Sequence, residues 1–178
     1  MSVILKTALA SMTLLVASVV SVVHAAGAGS GTITFEGEIL EAACSIKPGN
    51  SDQTIALGGI AKSQLATGGL SGTESFKIEL TGCSVAALTD KTISATFTGA
   101  ESADVSGALG ITGNAKGAGI VLVDGSGTAV TLGTATKVQF LQAGDNTLTF
   151  GAFLKGKATG DITPGNFAAV TNFSLAYK

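Results

Sequence analysis

The chain has no arginine and no tryptophan, one tyrosine, one histidine, two prolines and two cysteines among its 178 residues. Each scarcity excludes something. All ten basic residues are lysines, so there is no guanidinium fork to grip a phosphate or carboxylate in two places. A formal charge of −2, with only 12% of residues charged, leaves no basic face for nucleic acid. The only histidine, His24, lies in the leader described below, so a Ser or Cys nucleophile in the rest of the chain lacks its usual base. Paired carboxylates could run glycoside chemistry, but eight Phe and one Tyr spread through apolar runs do not suggest the aromatic cleft that goes with it. The expectation is no catalytic residue, no metal site, no cofactor, no small-molecule substrate and no nucleic-acid partner.

What is present begins with a leader. Lys6 supplies a positive start, Thr7 to Val23 is a mostly apolar run, and Val23-His24-Ala25 has the small-residue pattern of a cleavage site. Residues 1–25 read as a secretory signal peptide, although a run of this length is also close to the minimum for a membrane anchor, about 17 residues. Without Lys6 the net charge is about −3, and the remainder is enough chain for one core. Export places Cys44 and Cys83 in an oxidising compartment, where two cysteines and no others favour one disulfide. Two thiols with no histidine cannot make a structural zinc site.

The exported part reads as short alternating runs. Thr32–Leu40, Ala42–Ile46, Gln53–Leu57, Ser75–Leu80, Thr92–Thr98, Lys137–Leu141, Asn146–Leu154 and Phe167–Tyr177 read as strands, mostly by period-2 patterning, while Ile120–Val123 is a short apolar run followed by Val130–Leu132. Asp124-Gly125-Ser126-Gly127 marks a hairpin turn, and Ala61–Ala66 allows one helical turn at most. This pattern predicts an antiparallel β-sandwich. Gly27 to Gly31 lacks the flanking strand, helix and Gly-Lys-Ser/Thr of a phosphate loop, and Asn172-Phe173-Ser174 is a glycosylation sequon inside a strand, by pattern only.

The two terminal strands stand out because neither is protected. No charged residue occurs from Ala26 to Phe35 or from Phe167 to Tyr177, whereas natural sheet edges are usually blunted by charge, proline or bulges. Both ends therefore read as edges meant to be covered.

Gly37-Glu38-Ile39-Leu40-Glu41-Ala42-Ala43-Cys44, Asp52-Gln53-Thr54-Ile55-Ala56-Leu57-Gly58 and the run Phe76, Ile78, Leu80 to Cys83 resemble the major pilin subunits of chaperone–usher fimbriae, the type 1 rod proteins. The penultimate aromatic, Tyr177, and the glycine fourteenth from the end, Gly165, fit the same family. The resemblance implies an all-β, incomplete immunoglobulin-like sandwich completed by donor-strand exchange, with 26–37 as the N-terminal extension and 38–178 as the pilin domain. It implies Gly31, Ile33, Phe35 and Gly37 as the donor strand. Gly165, Phe167, Ala169, Thr171, Phe173, Leu175 and Tyr177 become the strand that lines the acceptor groove and binds the chaperone. Implied partners are neighbouring pilin subunits, a periplasmic chaperone and an outer-membrane usher, with transit through the periplasm to a cell-surface fimbrium that supports adhesion. A minor adaptor or tip pilin fits the same motifs, and a carbohydrate-binding adhesin fits less well, since the chain has no room for a second domain.

Overall fold

A computed structural model describes residues 31–178. The leader 1–25 and Ala26–Ser30 lie outside the described residues. The chain divides into two units, Met1–Glu38 and Ile39–Lys178. In the described part of the first, Gly31 to Glu38 has no regular secondary structure, and Ile33 and Phe35 are 77% and 89% exposed. The strand expected over Thr32–Leu40 thus makes no ladder with any described residue. Alternation can mark a stretch as suited to a sheet, but only a neighbour's N–H and C=O groups make it a strand.

In the second unit most of the expected runs become ladders. The strands are β1 (Ser45–Ile46), β2 (Glu74–Cys83), β3 (Thr92–Thr98), β4 (Leu109–Gly110), β5 (Thr112–Gly113), β6 (Ala118–Asp124), β7 (Gln139–Phe140), β8 (Gly144–Gly156), β9 (Phe167–Ala168) and β10 (Asn172–Tyr177). They form a five-stranded sheet in the order β1-β2-β8-β6-β4, a three-stranded sheet β10-β3-β7 and a two-stranded ladder β5-β9, with every pairing antiparallel. The single α-helical turn among the described residues, α1 (Lys62–Leu65), falls within Ala61–Ala66 as expected. Val130–Leu132 forms no strand; its one ladder-like contact is the amide of Val130 donating to Leu122 O at 2.9 Å.

The two larger sheets bury their alternate residues against each other. Ile78 and Leu80 of β2, Leu148 and Phe150 of β8, and Ile93, Ala95 and Phe97 of β3 are all 3% exposed or less. The contact between sheets is aromatic: Phe97 meets the Phe150 ring edge-on at 4.9 Å between centroids, and Phe76 lies 5.7 Å from Phe150 and 6.3 Å from Phe97. Such edge-to-face pairs add to plain area burial. A second, smaller cluster gathers Leu65, Ala118, Leu154 and Ile162. Cys44, just before β1, is bonded to Cys83 at the end of β2; both are buried, and no free cysteine remains among the described residues. The bond fastens the short strand β1 to the sheet edge.

Candidate functional site

β10 is bonded on one side only. It pairs with β3 from Asn172↔Thr98 to Tyr177↔Ile93 and stands at the edge of its sheet. The ladder runs to the last residue: the amides of Lys178 and Thr92 each donate to the other's carbonyl at 3.0 Å. Phe173, Leu175 and Tyr177 point inward, yet all three are only half-buried, while the inward residues of β3 beside them are 1% exposed. Neighbouring strands of one sheet differ this much when one flank lacks a strand.

That flank is a groove of about 890 Å³. Its floor is Phe76, Ile78, Phe97, Leu109, Ile120, Leu122 and Ala152, which are core side chains of both sheets seen from the open side. One lip is Gly165 to Thr171, continuing to Phe173; the other runs from Asn50 to Ile60. No lining residue is charged, so the groove offers an extended chain backbone partners and apolar depressions but no acid, base or ligand for a metal. Among the described residues no cluster of His, Cys, Asp and Glu could hold a metal ion.

The lips are held differently. On the C-terminal lip, β9 pairs with β5, the Thr112 hydroxyl donates to Ala168 O at 3.1 Å, and the amides of Asn114 and Ala115 donate to Asn166 O at 3.0 and 3.2 Å. Gly165 permits this approach, since a Cβ there would lie 2.8 Å from the Ala115 nitrogen and 2.9 Å from the Asn114 carbonyl carbon. The opposite lip makes no backbone hydrogen bond from Ser51 to Ile60 with any described residue. It is fixed by side chains: Gln53 Nε2 donates to Asn50 O and Lys77 O at 3.0 and 2.8 Å, the Glu79 amide donates to Asn50 Oδ1 at 3.0 Å, and Leu57 packs on the core.

The structure thus brings Gly165, Phe167, Ala169, Thr171 and Phe173 together along the groove. Leu175 and Tyr177 continue the same inward row but pack on the core instead of lining the opening, and burial pushes the Tyr177 phenol up from its ordinary pKa. Gly31, Ile33, Phe35 and Gly37 lie in the other unit, outside any strand. The strand expected over Gln53–Leu57 is found as an unpaired lip instead. The alternation of Ile55 and Leu57, inside the Asp52–Gly58 motif, was the sequence signal for that lip; of the floor residues, Ile120, Leu122 and Ala152 fell in runs read as ordinary strands, and Leu109 fell in none.

The chain matches the fimbrial protein family over residues 33–178. It is 43% identical over 155 residues to the major MR/P fimbria protein of Proteus mirabilis, covering 86% of this chain and 87% of that one. It is also 43% identical over 167 residues to the Fimbria A protein of Serratia marcescens, covering 93% and 95%. Among solved structures it resembles the P pilus rod subunit PapA, with a TM-score of 0.69 and 32% identity over 77% of this chain and all of that one. It also resembles a subunit of a chaperone–usher pilus whose structure addresses rod uncoiling, with a TM-score of 0.76 and 33% identity over 84% and 96%. The chain belongs to the fimbrial protein family. It has the immunoglobulin-like sandwich of pilus rod subunits and is a structural, non-enzymatic subunit that polymerises with other pilin subunits into a surface fimbrium, an adhesive organelle.

Proposed function

We propose that the polymer bond is strand exchange into the groove beside β10. The observation that supports this most is an uncharged channel running over the core of both sheets, with one lip left without backbone partners. A strand inserted there would pair with the lips on its edges and place alternate side chains on the floor, which is β-augmentation. In this reading residues 26–37 of the next subunit are the donor. Gly31, Ile33, Phe35 and Gly37 share one parity and face the floor, Ile33 and Phe35 each contributing roughly 1.5–3 kcal/mol when fully buried. The pilin domain is then 38–178, and 1–25 is removed on export to the periplasm.

Before exchange the exposed floor is an aggregation hazard. A periplasmic chaperone covers it by lending a strand, with Gly165 to Tyr177 as its contact, and an outer-membrane usher hands the subunit to the growing fibre. Deletion of residues 26–35 tests the donor assignment: the expected product is a chaperone-bound monomer and no ladder of polymers in unboiled gels. Normal filaments from the deleted chain would overturn it.

A further inference from the structure

At the Gly165 end of the groove lies a smaller depression of about 90 Å³, which shares Ile60, Gly165 and Phe167 with it. Leu65, Ile111, Leu154 and Ile162 wall it, and the only charged residues that line it are two lysines, Lys62 and Lys116. Lys62 is the first residue of α1. Lys116 is held by a mutual backbone pair with Thr163, each amide donating to the other's carbonyl, at 3.1 and 3.0 Å. Both lysines are exposed, and neither takes part in an ion pair among the described residues. Asp104, whose carboxylate lies on the same stretch of backbone, accepts from the Gly117 amide at 3.1 Å and does not line the depression. A doubly positive spot on a chain of net charge −2 stands out.

We infer that Lys62 and Lys116 read the charge of the incoming donor, seating Glu36, Glu38 and Glu41 of the next subunit at this end of the groove. The inference rests on the strand-exchange reading above and adds which residues select the donor. Three observations favour a second copy of this chain as the occupant. The charges are complementary: Glu36, Glu38 and Glu41 are three acids within six residues, with no lysine from Ala26 to Ile46. They also crowd one end of the donor, since Ala26 to Phe35 is uncharged, just as the lysines crowd one end of the groove. And the depression is continuous with the groove that exchange fills. With Ile33 and Phe35 on the floor, alternation turns Glu36 and Glu38 away from it, toward the rim. The opposite end of the groove has no cation to match. It begins at Asn50 and Ser51, next to Asp52, and the nearby Lys47 is bound to Glu79 at 3.0 Å. A donor laid in reverse would bring its glutamates to Asp52 and leave both lysines unmatched. Juxtaposed like charges suppress wrong arrangements more than matched ones add affinity.

The test is a charge swap in cells assembling whole fimbriae. Lys62→Glu with Lys116→Glu should thin the unboiled ladder while chaperone-bound subunit stays at its usual level. Adding Glu36→Lys, Glu38→Lys and Glu41→Lys to the same chain should restore the ladder, because every copy then presents both reversed partners. A normal ladder from the lysine variant, or no recovery in the full swap, overturns the inference. So does a fall in chaperone-bound subunit, which assigns the lysines to the chaperone. If the variants fail to accumulate, peptides on the unaltered subunit decide. A peptide copying residues 26–41 should bind roughly tenfold faster than the same peptide with its three glutamates changed to lysine, and salt should erase the difference. Equal rates at low salt overturn the inference. Absence of a ladder from the unaltered chain would instead sink the strand-exchange reading.

Discussion

Gly165 is where a single missing Cβ shapes the groove. The backbone of Asn114 and Ala115 crosses so close to it that any side chain would have to push the lip or the crossing segment away. Gly165→Ala should therefore cost roughly 1–3 kcal/mol, as overpacking does, and lower subunit recovery, measured by thermal unfolding and yield. Asp124 makes a different prediction. Its Oδ1 accepts from the Ser126 hydroxyl at 2.6 Å and from the amides of Ser126 and Thr128 at 2.9 Å each. These bonds, the Ser126 hydroxyl first, hold its carboxyl below the ordinary pKa. A lowered folded-state value means the turn's stabilisation is present above the ordinary carboxylate pKa and is lost as pH falls through the lowered one. The protection of the Ser126 and Thr128 amides against exchange, taken relative to the intrinsic rate at each pH, should fall over that acid range, and Asp124→Asn should abolish the dependence.

Elements were legible in proportion to how much of their pairing is internal. β3 has the bounds its alternation predicts, Thr92–Thr98, and β2 and β8 extend the predicted runs by a few residues because each lies between two neighbours. Leu109–Gly110 and Thr112–Gly113 were not legible, since two residues cannot display a period and their pairing is set by what passes beside them. Gln53–Leu57 shows the converse, a strand pattern without a ladder. Its state makes the groove reading measurable: a peptide copying residues 26–37 should slow amide exchange from Thr54 to Leu57, where no described residue now accepts those hydrogens. Unchanged exchange on a peptide-bound subunit would mean that the peptide pairs elsewhere.

At the scale of the whole molecule, the chain must be stable enough to wait for its partner. The Cys44–Cys83 bond spans 39 residues, and closing such a loop contributes about 4 kcal/mol in the chain-entropy model. The double change Cys44→Ser, Cys83→Ser should lower the denaturation midpoint correspondingly. That bond and the all-β class were determined by the sequence alone, because they follow from a cysteine count and from a periodicity each segment carries by itself. Only the tertiary structure decided that the core is open along β10, that the lip from Ser51 to Ile60 has no ladder among the described residues, and that Leu175 and Tyr177 lie beyond the groove lining. Local patterning says which side chains want burial. Whether a strand stands beside them depends on how all the others are arranged in space.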